Sequence, residues 1–242
     1  LVAVGSGKGG VGKSTVTVNL AAALAATGAR VGLLDADIYG PTIPIMMGRR
    51  DPPKMKGERM IPHEAHGVRF MSMGLLVPGD QPLIWRGPMA HGALQRCLFG
   101  VEWGELDYLL IDLPPGTGDV HLTLAQSVPL SGAVIVSTPQ DVGLTISMKT
   151  LRMFQTTKVQ ILGVVENMSS WACSSCGHAD NIFGHGSVKP ACERRAFEIV
   201  SFISPPATVW RRSQCSRTAL FFASFNCGRN VNSTIMAGCP AS

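Results

Sequence analysis

The fold of this chain is decided by one octapeptide: Gly7-Lys8-Gly9-Gly10-Val11-Gly12-Lys13-Ser14. It fits the pattern G-x-x-x-x-G-K-[S/T] and lies between a strand-like run at residues 2–4 and a segment at residues 14–27 with apolar residues at helical spacing. Glycines let consecutive backbone N–H groups turn toward phosphate oxygens, and the following helix directs the positive end of its dipole at the same anion. The octapeptide therefore predicts a phosphate-binding loop, the alternative being a glycine-rich turn that only caps a helix.

Three side chains at the end of this loop have separate predicted roles. Lys13 would neutralise charge on the β- and γ-phosphates, and the Ser14 hydroxyl would ligate Mg²⁺. Thr15 follows directly and is included among the predicted nucleotide-binding residues. The sequence thus predicts an ATP and Mg²⁺ site.

Beyond the loop, short β-branched runs alternate with helical patterns. Strands are expected near residues 31–35, 68–73, 108–112, 133–137 and 161–165, and a helix at residues 88–98. The nearly continuous apolar runs are typical of parallel strands that are buried on both faces. The fold class is therefore α/β, with a doubly wound, mostly parallel sheet whose ligands bind outside the carboxyl ends of the strands.

Composition excludes several classes of protein. Of 242 residues, 45% are hydrophobic and 15% charged, which is too apolar for a disordered chain. No apolar run approaches the ~18 residues needed to span a bilayer. The net charge of +5 is scattered rather than gathered in a stripe, so we expect no nucleic-acid partner. The odd count of seven cysteines is unlike a secreted disulfide framework.

Carboxylates follow two of the expected strands. We assign Asp112 to the neighbourhood of Mg²⁺ and Asp37 to orienting the attacking water, which are the two tasks that hydrolysis requires. The structural alternative for a strand-end aspartate is a helix N-cap, and for Asp35 the two interpretations are equally weighted. Asp37 and Asp112 join Lys13 in the predicted catalytic set, to which the resemblance described next adds Lys8.

Several phrases carry a resemblance to one family: GSGKGGVGKST, LLDADIYGPTIP, WRGPM, WGELDYLLIDLPPGTGD, GAVIVSTPQD and GVVENMSSWACSSCGHADNIFG. Together they resemble the Mrp/ApbC-type (Mrp/NBP35) P-loop ATPases, which are iron–sulfur cluster carriers, over residues 1 to about 187. The extra lysine, Lys8, is similar to the early lysine of the deviant Walker A motif. The resemblance implies a homodimer in which Lys8 reaches the phosphates of the partner subunit, and it implies that Asn167 pairs with adenine. From the sequence alone, Asn167 would be a turn-forming residue.

The same resemblance assigns a role to Cys173 and Cys176, in a C-x-x-C spacing. It implies that each of two subunits supplies this pair to a bridging [4Fe–4S] cluster, which passes to apo-protein clients and comes from cluster donors. The rival ligand is zinc, held with His178 and His185 or with the partner's thiols, since spacing does not separate the two metals. Two thiols that are merely reduced are the structural alternative.

The resemblance implies a slow ATPase that carries clusters, and the alternative function is a MinD/ParA-like positioning or partition ATPase. We expect one P-loop ATPase domain with the C-x-x-C site at residues 1–198, and an irregular segment, disordered or divergent from the family, at residues 199–242. The sequence begins at Leu1 within a strand-like run, so an upstream N-terminus is expected. The expected compartment is the cytoplasm, or the mitochondrial matrix if a targeting peptide precedes Leu1.

Overall fold

The computed structural model of the chain describes residues 1–38, 40–76, 87–173, 175–194 and 202–203. The strands are β1 Val2–Ser6, β2 Val31–Asp35, β3 Met55–Lys56, β4 Arg59–Met60, β5 His63–Ala65, β6 Val68–Ser72, β7 Tyr108–Asp112, β8 Gly132–Ser137, β9 Ile161–Glu166, β10 Trp171–Ala172, β11 Ala179–Asp180 and β12 Phe202–Ile203. The α-helices are α1 Lys13–Ala26, α2 Ile43–Met46, α3 Gly87–Phe99, α4 Asp119–Ser127, α5 Asp141–Thr156 and α6 Val188–Glu193, with a 3₁₀ turn at Met73–Leu76.

One large sheet organises these elements. Its strand order is β12-β9-β8-β1-β7-β2-β6-β5, and all neighbours are parallel except β5, which pairs antiparallel with β6. Two short antiparallel ribbons, β3–β4 and β10–β11, stand outside the sheet. The mostly parallel α/β fold expected from the alternating pattern is therefore confirmed, with an antiparallel edge strand that the sequence analysis missed.

Helices cover both faces of the sheet, as the alternation of side chains along a strand requires. Leu33 points to the face packed by α1 and α2, whereas its neighbour Leu34 belongs to the core on the opposite face. That second core includes Phe154 of α5 and Leu94 of α3. Both faces of the central strands are buried, so their runs are apolar without alternation.

The boundaries agree closely with the sequence analysis where the helical pattern is strong. Helix α1 begins one residue before the expected start, and α3 spans the expected residues 88–98 with one further residue at each end. The segment expected to be irregular contains strand β12, whose Phe202 and Ile203 pair in parallel with Val164 and Val165. The sheet therefore extends past residue 198, while the domain boundary itself stays a prediction.

In the part of the chain that the structure describes, no helix is both long and apolar enough to cross a membrane.

Candidate functional site

The glycine-rich loop joins β1 to α1 and depends on glycine at two points. Gly12 precedes α1 in the left-handed region, with φ 82°, and a Cβ added there would lie 2.4 Å from Asn167 Nδ2. A Cβ on Gly7 would come within 2.5 Å of the backbone nitrogen of Ser147 in α5. Gly7, at the start of the loop, thus packs directly against α5, and Gly12, at its end, packs against Asn167, which follows β9.

Asp112, at the end of β7, is the centre of a buried polar cluster. Its Oδ2 accepts hydrogen bonds from Lys13 Nζ at 2.7 Å and from Ser14 Oγ at 2.6 Å. The Thr17 hydroxyl lies 2.7 Å from Asp112 Oδ1. Side-chain exposure is 7% for Lys13 and 0% for Asp112, so this ion pair is nearly dry. The structure therefore brings together the predicted lysine, hydroxyl and carboxylate.

Strand register places a second carboxylate beside this cluster. Asp35 ends β2 directly opposite Asp112, and burial, followed by the charge of Asp112, raises the pKa of its carboxyl to about 7. Its oxygens accept hydrogen bonds from the backbone N–H groups of Asp37 and Ile43. Asp35 thus fixes the loop that carries Asp37 and also meets the first residue of α2.

Asp37, the predicted water-orienting residue, lies in that loop with 9% exposure. Its Oδ1 accepts the backbone N–H of Gly40 at 3.2 Å. This loop follows β2, which pairs with β7, so Asp37 lies at the carboxyl edge of the sheet, where parallel strand ends meet. Its catalytic role stays a prediction.

Lys8 has a partner outside the Asp112 cluster. Its Nζ donates a 2.9 Å hydrogen bond to Oε1 of Gln140, the residue that precedes α5. The two residues are 132 positions apart in the chain. The two loop lysines therefore have different partners, a carboxylate for Lys13 and a neutral amide for Lys8.

Asn167 follows β9 and closes over the loop. Its Nδ2 donates a 2.8 Å hydrogen bond to the backbone oxygen of Val11, and its backbone N–H donates to the Ser137 carbonyl. The side chain thus supports the phosphate-binding loop directly, and its pairing with adenine stays a prediction.

The preceding residue, Glu166, is 4% exposed. Its two carboxylate oxygens accept the backbone N–H groups of Gly186 and Val188, at 2.7 Å and 2.9 Å. Val188 is the first residue of α6, so the carboxylate lies where the positive end of that helix favours it.

Cys173 and Cys176 lie in a separate feature, the turn of the ribbon formed by β10 and β11. The ribbon is closed by backbone hydrogen bonds from Cys173 N to the His178 carbonyl and from Gly177 N to the Cys173 carbonyl. Cys173 is half-buried and Cys176 exposed. Hydrogen bonds from the backbone of Cys176 and then of Ser175 lower the pKa of the Cys173 thiol, which favours the thiolate.

The cysteine pair supplies two thiol ligands. Among the described residues no group of three or more His, Cys, Asp or Glu side chains is close enough to hold a metal. His178 instead lies 3.5 Å from Asp180, within the same ribbon. The zinc set that would add His178 and His185 of the same chain is therefore not assembled.

Sequence reasoning missed three residues of this region: Thr17, Gln140 and Glu166. Thr17 lies one helical turn after Lys13, so its position on the same face of α1 was a usable signal. Gln140 and Glu166 gave no comparable signal, because their partners come from distant parts of the chain.

The loop has the chemistry that a nucleoside triphosphate with Mg²⁺ requires. It combines a glycine cradle that a Cβ would fill, a nearly buried ammonium group, and a hydroxyl beside a carboxylate. Oxygen ligands of this kind suit Mg²⁺, and Lys13 supplies a positive charge for the phosphates. These residues fit Mg-ATP, although their individual roles stay predictions.

Comparison with protein families identifies the class. A family model described as "ParA: NUBPL iron-transfer P-loop NTPase" matches residues 1–227. The match extends well past residue 187, where the resemblance seen in the sequence ends.

Curated relatives carry related descriptions. An Escherichia coli K12 protein named iron-sulfur cluster carrier protein is 53% identical over 196 residues, covering 80% of this chain and 53% of the relative. Its namesake in Deinococcus radiodurans is 55% identical, covering 80% and 56%. An Arabidopsis thaliana protein named iron-sulfur protein required for NADH dehydrogenase, mitochondrial, is 49% identical, covering 84% and 66%. The chain spans about half the length of the bacterial pair.

Solved structures agree on the fold. A nucleotide-binding protein from Archaeoglobus fulgidus, in complex with ADP, matches with a TM-score of 0.72 and 38% identity, covering 91% of this chain and 85% of that chain. The cell division ATPase MinD of Pyrococcus furiosus matches with a TM-score of 0.65 and 20% identity, covering 93% and 98%. At that identity MinD shares the fold alone. The phosphate-binding loop, the parallel sheet and the family match together make this chain a member of the ParA/NUBPL family of iron-transfer P-loop NTPases.

Proposed function

We propose that this chain is an ATP-hydrolysing carrier that, as a homodimer, binds a [4Fe–4S] cluster and transfers it to apo-proteins. The observation that carries the proposal is the Cys173–Cys176 pair, which lies on the same molecule as a nucleotide-binding loop. Among the described residues no third metal ligand lies close to this pair. Four thiolates suit a [4Fe–4S] cluster, so two chains complete one site.

At the nucleotide site, the chain's own residues divide the work. Lys13, now paired with Asp112, would neutralise charge on the phosphates. Ser14 and Asp112 would hold Mg²⁺, which would supply positive charge for the phosphoryl oxygens. Thr17 keeps Asp112 in place, and Asp37 orients the attacking water. Lys8 reaches the phosphates of the partner subunit, so nucleotide binding favours the dimer.

At the cluster site, the lowered pKa of Cys173 favours the thiolate, which is the form of cysteine that ligates iron. A cluster held between two chains is released when the interface that holds it changes, so the nucleotide state controls transfer. The iron–sulfur descriptions of relatives at 49–55% identity favour iron over zinc, and they favour a carrier over a MinD-like positioning ATPase.

The partners follow from this assignment: a second copy of the chain, cluster donors and apo-protein clients. Bacterial relatives support the cytoplasm, and the Arabidopsis relative named as mitochondrial supports the matrix as the alternative.

The direct test is anaerobic reconstitution with iron and sulfide, followed by measurement of both elements per dimer and of the cluster's visible absorption. We expect about four iron and four sulfide per dimer for the unaltered chain, and none retained by Cys173→Ala or Cys176→Ala. A buried thiol provides the control, because Cys97→Ala should still take up the cluster.

Equal and tightly held iron in the unaltered chain and in both cysteine variants would overturn the cluster site. A second assay separates the alternative function: with Mg-ATP, a positioning or partition ATPase would co-sediment with anionic liposomes or with DNA. The carrier should remain in the supernatant and should pass its cluster to an apo-ferredoxin.

A further inference from the structure

Gln140 is placed to hold Lys8 within its own chain. The Lys8 ammonium group donates to Gln140 Oε1 at 2.9 Å in a half-buried position. Because the donor is charged, this bond is stronger than one between neutral groups. It occupies the side chain that the proposed function assigns to the phosphates of the partner subunit.

The backbone around Lys8 is fixed on both sides of the residue. The Ser6 hydroxyl donates to the Lys8 carbonyl at 3.0 Å. Gly7 is seated so closely on α5 that a Cβ there would overlap the backbone of Ile146 and Ser147. Gln140 immediately precedes the same helix. The position of Lys8 relative to Gln140 is therefore built into the fold, and only the lysine side chain has to move when it changes partner.

The chemistry of the holding group also matters. Lys13 is paired with a carboxylate, whereas the acceptor for Lys8 is a neutral amide. A triphosphate carries several negative charges and attracts an ammonium group far more strongly than an amide does, so the bond to Gln140 can be exchanged. A carboxylate at position 140 would hold the lysine more firmly.

We propose that Gln140 is a positioning residue that retains Lys8 in cis in the single chain and releases it to the nucleotide of a second copy on dimerisation. The inference rests on the proposed function, since it assumes that Lys8 acts in trans. The fraction of chains with a free Lys8 then sets the apparent affinity of nucleotide-dependent dimerisation.

The first arm of the test concerns the single chain alone. Nucleotide-free protein is treated briefly with an amine-acylating reagent, and modification of Lys8 is followed by peptide mass spectrometry. Relative to the unaltered chain, we expect about fivefold faster modification of Lys8 in Gln140→Leu and slower modification in Gln140→Glu, as expected when a charge-assisted hydrogen bond is removed or strengthened. Equal rates in all three proteins would overturn the retention of Lys8.

The second arm measures dimerisation by light scattering against the concentration of a non-hydrolysable ATP analogue with Mg²⁺. The half-saturating concentration should fall about fivefold in Gln140→Leu and rise in Gln140→Glu, following the free fraction of Lys8. Opposite directions for the two variants are not expected from simple damage to the fold. Both effects should vanish in a Lys8→Ala background.

Gln155→Leu is the matched control, with the same substitution at an exposed position about 20 Å further along α5. It should change neither arm. Variants of Gln140 that shift dimerisation equally with and without Lys8 would overturn the proposal. If even the unaltered chain stays monomeric with nucleotide, the trans role of Lys8 in the proposed function fails and the release step fails with it. The labelling arm still reports separately on the cis contact.

Discussion

The nucleotide end of the molecule, around Asp112, and the cysteine ribbon, around Cys173 and Cys176, are built in opposite ways. Around Asp112, a lysine and two hydroxyl groups converge on one carboxylate, and the ion pair is almost entirely removed from water. Around Cys173 and Cys176, a ribbon of two-residue strands presents thiols at the surface, with no third ligand within the described residues. The first site is satisfied within one chain, whereas the second is open.

This difference teaches where each site draws its stability. A buried charge pair is costly to break because either partner alone is left uncompensated, so the nucleotide end is tied to the folding of the sheet. An exposed turn contributes little to folding, so the exchange of a ligand proposed there would leave the core undisturbed. Four substitutions, from the largest expected effect on stability to the smallest, test this contrast.

Asp112→Ala should have the largest effect. It leaves the Lys13 ammonium group buried without its carboxylate and also removes the partner of Ser14. We expect a loss of about 3–5 kcal/mol in the free energy of unfolding, measured by urea denaturation, together with loss of ATP hydrolysis. The control is Glu105→Ala at the exposed ion pair with Arg30, which should change stability far less. A loss below about 1 kcal/mol in Asp112→Ala would remove the proposed contrast between the two ends.

His121→Leu should change the response to acid at the nucleotide end. His121 lies in α4 with no exposure, and neither ring nitrogen has a hydrogen-bond partner among the described residues. Burial, followed by the charge of Lys13, lowers its pKa to about 4 from an ordinary 6.5. Between these values only the unfolded chain takes up the proton, so stability is lost as pH falls from 6.5 toward 4.

The slope from this one group reaches at most about 1.4 kcal/mol per pH unit. His121→Leu should remove it, as measured by urea denaturation at a series of pH values. The exposed His185→Leu is the control and should keep the acid slope of the unaltered chain. An unchanged slope in His121→Leu would show that other groups cause the acid sensitivity.

Asn167→Ala should have a moderate effect confined to the loop. The substitution removes the hydrogen bond to the Val11 carbonyl, for which we expect a loss of about 1 kcal/mol. Affinity for ADP, measured by calorimetry, should fall by about tenfold because the loop loses its support. The exposed Asn181→Ala should leave both quantities unchanged, and an unaltered affinity in Asn167→Ala would separate this side chain from nucleotide binding.

Cys176→Ser should have the smallest effect on the apo-protein. The side chain is exposed, so we expect stability to stay within about 0.5 kcal/mol of the unaltered chain and ADP affinity to be retained. Iron binding should nevertheless be abolished. A large loss of stability would mean that the ribbon is part of the folding core.

Much of the nucleotide end could be predicted from the sequence because its determinants are local. The octapeptide fixes its own loop, and apolar runs that end in Asp35 and Asp112 place two carboxylates at one edge of a parallel sheet. The C-x-x-C spacing likewise marked Cys173 and Cys176 as a pair of thiols. In each case the residues that matter are neighbours in sequence or are positioned by strand register.

The contacts that could not be predicted join distant segments. The bond between Lys8 and Gln140 depends on how β8 and α5 pack beside β1, which no local pattern encodes. The antiparallel edge strand β5 was missed because it has only three residues. The final strand was missed because residues 202–203 are too few to give a periodic pattern, and only the register with β9 reveals it.

The end of β9 has a mechanical consequence for the cysteine ribbon. Just before the ribbon, the Asn167 side chain donates a hydrogen bond to the phosphate-binding loop. Shortly after the ribbon, the Gly186 backbone N–H donates a hydrogen bond to the Glu166 carboxylate. The segments before and after the ribbon are therefore both held by the adjacent residues Glu166 and Asn167, at the end of β9. If the proposed function holds, a recipient protein would have to dock close to this edge of the sheet to reach the thiols.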